Sequence, residues 1–318
     1  MTHAKRPLGR TGLSISPLVF GGNVFGWTAD RQTSFDILDR FTGAGFETVD
    51  TADVYSIWKP GNQGGESETI IGEWMRTRGC RDRITLITKV GMEMAPGRKG
   101  LSAAWIERAV EDSLRRLQTD HLDVYLSHKY DPEAPHEETL AAYQKLIAAG
   151  KVRAIGASNF DATQLRAALE VAEEKGLPRY EILQPEYNLY DRKSYDGALR
   201  DLSMAKGLGI ITYYSLARGF LSGKYRSEAD LGLSPRGGGV KAYLNERGFR
   251  ILRALDEVAS RHGAKPAEVS LAWLMARPGV TAPIASATSL DQLGSLLRAA
   301  SLTLSGEDVA ALELASRY

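Results

Sequence analysis

The chain has a single cysteine, Cys80, in 318 residues. One thiol can close no internal disulfide and cannot supply a four-thiolate zinc or iron–sulfur site. It fits a reducing compartment, and a cytoplasmic location is the expectation. No run of ~18 apolar residues occurs, so no membrane-spanning helix and no membrane partner are expected. The first thirteen residues carry Lys5, Arg6 and Arg10 with no apolar stretch after them, which is not a secretory signal. Net charge is nearly absent: 40 Lys and Arg against 39 Asp and Glu leave +1. A whole-chain polyanion binder needs a basic excess, so nucleic acid is not an expected partner. The balance still leaves room for a pocket that takes one phosphate. Histidines are few: His3, His121, His128, His136 and His262, with no His-x-His pair. A histidine-rich metal site is therefore not expected, and no metal is assigned.

What is present is ordinary for a globular protein: 43% hydrophobic and 25% charged residues, which excludes disorder. Glycine is plentiful, 32 residues against a usual ~7%, and signals many tight turns. Length alone suggests two domains at ~150 residues each, although α/β barrels often exceed ~250 residues as one.

Short β-branched runs alternate with helical patterns along the chain. Strands are expected at Pro17–Phe20, Phe46–Val49, Ile84–Val90, Leu122–Ser127, Val152–Ala157, Ile182–Gln184, Ile210–Tyr214 and Val280–Ile284. Helices are expected at Ser67–Arg78, Ser102–Leu117, Glu138–Ala149, Thr163–Lys175, Ser194–Lys206, Arg250–His262, Pro266–Met275 and Leu290–Ala299. Ser102 has the chemistry of an N-cap; Gly150, Gly176 and Gly207 stand where helices should stop. Eight such units with no Pro/Ser-rich linker point to a single (β/α)8 barrel over residues 1–318, with an open doubly wound sheet as the alternative. A long Gly-rich, charged segment, Ser222–Leu244, follows the seventh strand and is expected to be a mobile lid. Its Gly237–Ala242 stretch has the letters GxGxxA, but no strand precedes it, so it is not a dinucleotide fingerprint.

In a barrel, chemistry collects at the C-terminal ends of the strands. Asp50 ends the second strand and Tyr55 follows it; Lys89 lies near the end of the third; His128 follows the fourth. Taken singly, each has an ordinary reading as a cap, a packing residue or a solvated charge. One shared rim changes that. A phenol with pKa ~10 is a poor acid–base catalyst near neutrality. An ammonium ~4 Å away at an effective dielectric of ~20 contributes up to ~4 kcal/mol. Lys89 is thus expected to bring Tyr55 towards pKa ~7–8. Asp50 suits the counter-ion of Lys89, and His128 can donate to a substrate oxygen.

At these residues the chain resembles the aldo-keto reductases. The motifs are Asp50-Thr51-Ala52-Asp53-Val54-Tyr55, Ile87-Thr88-Lys89, Ser127-His128, Gly156-Ala157-Ser158-Asn159-Phe160, Leu183-Gln184-Pro185-Glu186-Tyr187-Asn188 and Tyr213-Tyr214-Ser215-Leu216-Ala217-Arg218-Gly219. The resemblance covers nearly the whole chain. It implies a (β/α)8 barrel that binds NADPH across its rim, with NADH as the alternative cofactor. It implies a catalytic tetrad of Asp50, Tyr55, Lys89 and His128, with Tyr55 protonating a carbonyl oxygen during hydride transfer.

Carried over by position, Ser158, Asn159 and Gln184 look like the partners of the nicotinamide carboxamide, and Tyr213 like the aromatic face beneath the ring. Gly22, Asn23, Asp50, Tyr214, Ser215, Leu216, Ala217, Gly219 and Lys224 complete the expected cofactor path. Arg236, in Ser234-Pro235-Arg236, resembles the arginine that holds an adenosine 2′-phosphate. Ser286, Thr288 and Gln292 align with the segment beside the adenine. There the chain departs from the pattern: Ser286 stands where Gly or Lys is common, and Ser295 and Leu296 replace a usual Glu-Asn. Ser56 also replaces a common Gly, and Ile57–Gly61 lengthens the loop over the pocket.

Val24, Phe25, Trp27, Trp58 and Tyr130, with Tyr55 and His128, are the candidate walls of a substrate pocket. Such a wall suits aldehydes, ketones, sugars or steroids. The partner expected is a small carbonyl compound, and the protein is expected as a monomer or weak homo-oligomer. The resemblance also admits a second role, an NADPH-binding sensor like the potassium-channel β subunits. In those the histidine position is altered, whereas His128 is intact here.

Overall fold

Eight short parallel strands close on one another, and the closure explains why their sequences are so apolar. The structure is a computed structural model and describes residues 4–318; His3 lies outside them. An antiparallel pair, β1 (Arg6–Pro7) and β2 (Ser14–Ile15), precedes the barrel. The barrel strands are β3 (Val19–Gly21), β4 (Thr48–Asp50), β5 (Thr85–Val90), β6 (Leu122–Ser127), β7 (Val152–Ser158), β8 (Ile182–Gln184), β9 (Gly209–Thr212) and β10 (Ala282–Ala285). β10 pairs with both β3 and β9, so no edge remains. Side chains alternate between the two faces of each strand. Val19, Ile87, Val124, Leu126, Ala154, Ile182, Ile211, Ala282 and Ile284 form an inner core, joined by Leu8 and Ile15 from the hairpin. The hairpin thus plugs the barrel. Its turn needs Gly9, at φ +59°, because a Cβ there would lie 2.5 Å from the Glu181 carbonyl oxygen.

The helices are α1 (Arg31–Gly43), α2 (Glu66–Arg78), α3 (Ala103–Leu117), α4 (His136–Ala148), α5 (Ala162–Lys175), α6 (Ala198–Lys206), α7 (Glu246–His262), α8 (Pro266–Ala276), α9 (Leu290–Ala299) and α10 (Gly306–Ala315). Ser102 caps α3, accepting from the Trp105 amide. Gly176 and Gly207 end α5 and α6 with positive φ, and Gly150 follows the α4 cap with φ +71°. α6 starts four residues later than its periodicity suggests, because Gly197 before it is at φ +91°, ψ −136°. Two helices, α1 and α10, and the hairpin were not among the expected elements. None of the helices of the described residues is long and apolar enough to cross a membrane.

The segment Ser222–Leu244, expected as a mobile lid, is folded into two 3-10 turns, Glu228–Leu233 and Gly237–Tyr243, and a third, Ala217–Ser222, leads into it. Tyr225 and Val240 are fully buried and Tyr243 nearly so, which anchors it over the barrel.

Candidate active site

The C-terminal strand ends bring Asp50, Lys89, His128 and Tyr55 together. Asp50 is the last residue of β4 and pairs with Ile87 of the neighbouring β5, and Lys89 lies two residues further on, one before the end of that strand. Lys89 is fully buried. Its Nζ donates to Asp50 Oδ1 at 2.6 Å, to the Thr51 carbonyl at 2.7 Å and to the Tyr55 hydroxyl at 3.3 Å. A buried ammonium is tolerable only with such partners. Thr51 was missed as a participant; a backbone carbonyl leaves no residue-type signal in a sequence.

His128 follows β6 and packs edge-on to the Tyr55 ring, with centroids 5.8 Å apart. Its Nδ1 is buried with no hydrogen-bond partner. Burial, and then the Lys89 charge, hold the imidazole well below its ordinary pKa of 6.5, so it is neutral at neutral pH.

The phenol departs from expectation. Burial first, and then the Asp50 charge, push Tyr55 well above its ordinary value of 10 rather than down towards neutrality. The Lys89 contact is present, but Asp50 sits closer to the ammonium than Tyr55 does and offsets its charge. Tyr55 in this arrangement is a protonated hydroxyl, fit to donate.

A continuous hydrogen-bond chain leads away from the tetrad. Gln184, the last residue of β8, donates Nε2 to Asp50 Oδ2 at 2.8 Å, and its carbonyl accepts from Ser158 Oγ at 2.8 Å. Asn159 Nδ2 donates to Ser158 Oγ and to the His128 carbonyl, while its Oδ1 accepts from the Tyr213 hydroxyl at 2.6 Å. Asn159 is held at φ +57°, a conformation asparagine tolerates better than most residues. Ser158, Asn159, Gln184 and Tyr213 therefore form one patch of amide and hydroxyl groups beside the tetrad.

Further along the rim, Ala217, Arg218 and Gly219 have consecutive positive φ values of 47°, 58° and 100°. The Ala217 and Gly219 amides are spent on the Tyr214 and Leu216 carbonyls, so the run is a tight left-handed turn closed on itself. Tyr214, at φ +51°, carries the Arg218 guanidinium 4.8 Å over its ring. Leu216 is half-buried, Ser215 is buried with its hydroxyl on the Thr212 carbonyl, and Lys224 is exposed. Gly22 is buried, and a Cβ there would meet Ser67 Oγ at 2.9 Å. Asn23 Oδ1 accepts from Ser286 Oγ at 2.7 Å, joining the first and last strand ends. Gln292 Oε1 accepts from the Thr288 amide and hydroxyl. Ser295 is turned inward onto Glu268, and Leu296 is core, so neither side chain faces the rim.

The substrate-wall candidates divide. Trp27 and Trp58 meet edge-to-face at 5.7 Å, and Trp58 meets Tyr55 at 5.5 Å, so these three form a wall. Val24 and Phe25 do not line it: Phe25 is stacked on Phe20 in the core and Val24 is buried with it, because the first-strand loop turns inward there. Tyr130 packs against Phe160 and His136. Glu66 was missed as the organiser of this loop. It accepts from the amides of Ser56, Gln63 and Gly64, fixing the segment that carries Tyr55 and Trp58. An acidic residue opening a helix after Gly64-Gly65 was the available signal.

Arg236 lies with its guanidinium 5.1 Å over the Trp27 ring, so it joins the aromatic wall.

The model of the Aldo/keto reductase family matches residues 17–317. The chain is 35% identical over 311 residues to the uncharacterized oxidoreductase YrpG of Bacillus subtilis (strain 168), covering 94% of this chain and 92% of that protein. It is 30% identical over 330 residues to the protein tas of Escherichia coli (strain K12), covering 95% and 94%. A probable voltage-gated potassium channel subunit beta of Oryza sativa subsp. japonica is 32% identical over 300 residues, covering 92% and 89%. Matched nearly end to end, with a closed eight-stranded barrel, the chain belongs to the aldo/keto reductase family and is an NAD(P)H-dependent oxidoreductase.

Proposed function

We propose that this oxidoreductase reduces an aldehyde or ketone to the alcohol with NADPH, Tyr55 supplying the proton. The observation that carries this reading is the buried Asp50–Lys89–Tyr55 contact set with neutral His128 against the phenol. When bound, the dinucleotide supplies the hydride. The residues present fit it: Ser158, Asn159 and Gln184 offer amide and hydroxyl groups for a carboxamide, Tyr213 an aromatic face, and Arg236 a buried guanidinium nitrogen with no partner for a phosphate.

Tyr55 holds its proton at the hydroxyl and releases it to the carbonyl oxygen as that oxygen becomes an alkoxide. Lys89, 3.3 Å away, stabilises the phenolate left behind. Asp50 holds Lys89 in place, and Gln184 occupies the other Asp50 oxygen. His128 positions the substrate oxygen beside the phenol.

The test is oxidation of NADPH and of NADH, in parallel, by purified protein with a panel of aldehydes that includes 4-nitrobenzaldehyde. Turnover with NADPH supports the reading. Tight NADPH binding without turnover across the panel moves it to a sensor role, the second reading, which the likeness to the channel β subunit favours. The complete tetrad favours the enzyme.

A further inference from the structure

Residues 316–318 fasten two rim segments from the surface of the molecule. The loop after β8 reaches α6 only at Ala198, so the amides of Arg192 and Lys193 stand outside any helix or strand. Backbone amides need partners. Both donate to the Tyr318 hydroxyl at 2.9 Å, and that hydroxyl donates onward to the Tyr190 carbonyl at 3.2 Å. Arg247, in the first turn of α7, completes the joint. Its guanidinium lies over two phenol rings, 4.0 Å from the centre of Tyr318 and 4.4 Å from that of Tyr190. Its nitrogens donate to the carbonyls of Tyr190, Ser316 and Arg317 at 2.8, 2.7 and 3.2 Å. Charged donors make the stronger hydrogen bonds, and a cation over an aromatic face adds to them.

Tyr190 carries the joint inward. Its hydroxyl accepts from Asn245, the N-cap of α7, at 2.7 Å. Its ring meets Tyr243 edge-on at 4.8 Å and Phe220 at 6.3 Å, and Phe220 is stacked on Tyr243. Tyr243 donates to Asp191 at 3.0 Å, and Asn188 donates to Asp191 and to the Tyr214 carbonyl, both at 3.0 Å. Phe220 and Tyr243 are buried anchors near the two ends of the segment 217–243, and Tyr214 leads into it. Tyr318 itself is 62% exposed. Polar contacts open to solvent, with little apolar burial beneath them, mark a unit that opens locally while the core stays folded.

We propose that Tyr318 and Arg247 form a clasp that holds the segment 214–243 down on the rim, so that its opening lets the segment lift and a bound dinucleotide leave. Tyr318 is a positioning residue, acting through Tyr190. The dinucleotide half of this statement rests on the reading of the cofactor path; the tethering of the segment does not.

The experiment compares wild type with Tyr318→Phe, which removes only the hydroxyl, with Tyr318→Ala, which also removes the ring beside Arg247, and with Arg247→Leu. Amide hydrogen exchange is followed in the protein without cofactor, and stopped-flow fluorescence gives the NADPH and NADH off-rates. Tyr318→Ala should quicken exchange across residues 187–193 and 214–245 and raise the NADPH off-rate about three- to tenfold, with Tyr318→Phe in between. Arg247→Leu should give the same pattern, and joining it to Tyr318→Ala should add little, since the two act as one unit. Thermal unfolding confirms that the variants fold. A lower melting temperature with unchanged off-rates overturns the proposal, because the tail then adds only bulk stability. Exchange quickened at residues 316–318 alone overturns it as well. If wild type binds neither dinucleotide the cofactor-path reading fails, and the exchange arm still decides whether the clasp holds the segment.

Discussion

Gln184 and Asp50, 134 residues apart in the chain, share a buried hydrogen bond of 2.8 Å. It divides the Asp50 carboxylate between two tasks: one oxygen holds Lys89 and the other holds an amide from the far side of the barrel. Gln184→Ala should leave that oxygen without a partner. Loss of a hydrogen bond to a buried charge costs about 1.5–3 kcal/mol. Melting temperature should fall and the Kd for NADPH should rise. An unchanged Kd would show that Gln184 serves Asp50 alone.

Tyr55→Phe removes the transferable proton and little else, since the ring packing on Trp58 and His128 is retained. General acid catalysis contributes about 10²–10⁴-fold, so kcat should fall by that order while NADPH binding is preserved. Steady-state kinetics and fluorescence titration check both halves. Turnover near wild type would remove Tyr55 from the proposed role.

Lys89→Met leaves Asp50 as a buried carboxylate whose remaining partner is Gln184. Breaking a buried pair from one side typically costs about 3–5 kcal/mol. The double variant Asp50→Asn with Lys89→Met removes both charges and should recover much of the melting temperature without recovering activity. Equal instability of single and double variants would mean that packing, not charge, sets the loss.

The raised Tyr55 pKa sets the sign of the pH dependence. Reduction needs the protonated phenol, which persists to above its ordinary value of 10, and neutral His128 persists to below 6.5. The kcat for carbonyl reduction should therefore be flat between about pH 7 and pH 9. A decline with a midpoint near neutrality would show that Lys89 outweighs burial and Asp50.

Asp308, at the start of α10, accepts from His262, Arg261 and Ser305. These donors, led by His262, hold its carboxyl well below the usual range. A depressed folded pKa contributes stability that is present above the unfolded value of about 3.9 and lost as pH falls. Asp308→Asn should lower the melting temperature at pH 7, and the gap to wild type should narrow towards pH 3. A gap that does not change with pH would assign the effect to hydrogen bonding alone.

The barrel was legible because its signals are local. Leu122–Ser127, Ile182–Gln184 and Leu290–Ala299 have the expected bounds, since β-branched runs and helical spacing act within a few residues. That Asp50, Lys89 and His128 stand close to one rim was legible for the same reason: each lies within one residue of a strand's C-terminal end. α1 and α10 were readable but unread. Asp30 caps the first, with Phe35, Leu38 and Phe41 on one face behind it, and Ser305 caps the second in a capping box with Asp308.

What only the tertiary structure decided depends on distances between remote segments. Burial and the neighbouring Asp50 charge, not the nearby ammonium, set the direction of the Tyr55 shift, because desolvation is a property of the whole surrounding core. The inward turn of Phe25 and the placement of Arg236 on Trp27 follow from how separate loops pack, 209 positions apart in the second case. The strand periodicity pointed to a barrel, and the charge balance left room for a pocket that takes one phosphate; the motifs and the family they resemble, not composition, implied an enzyme. The fold then decided which cation was left unpaired and what it faces.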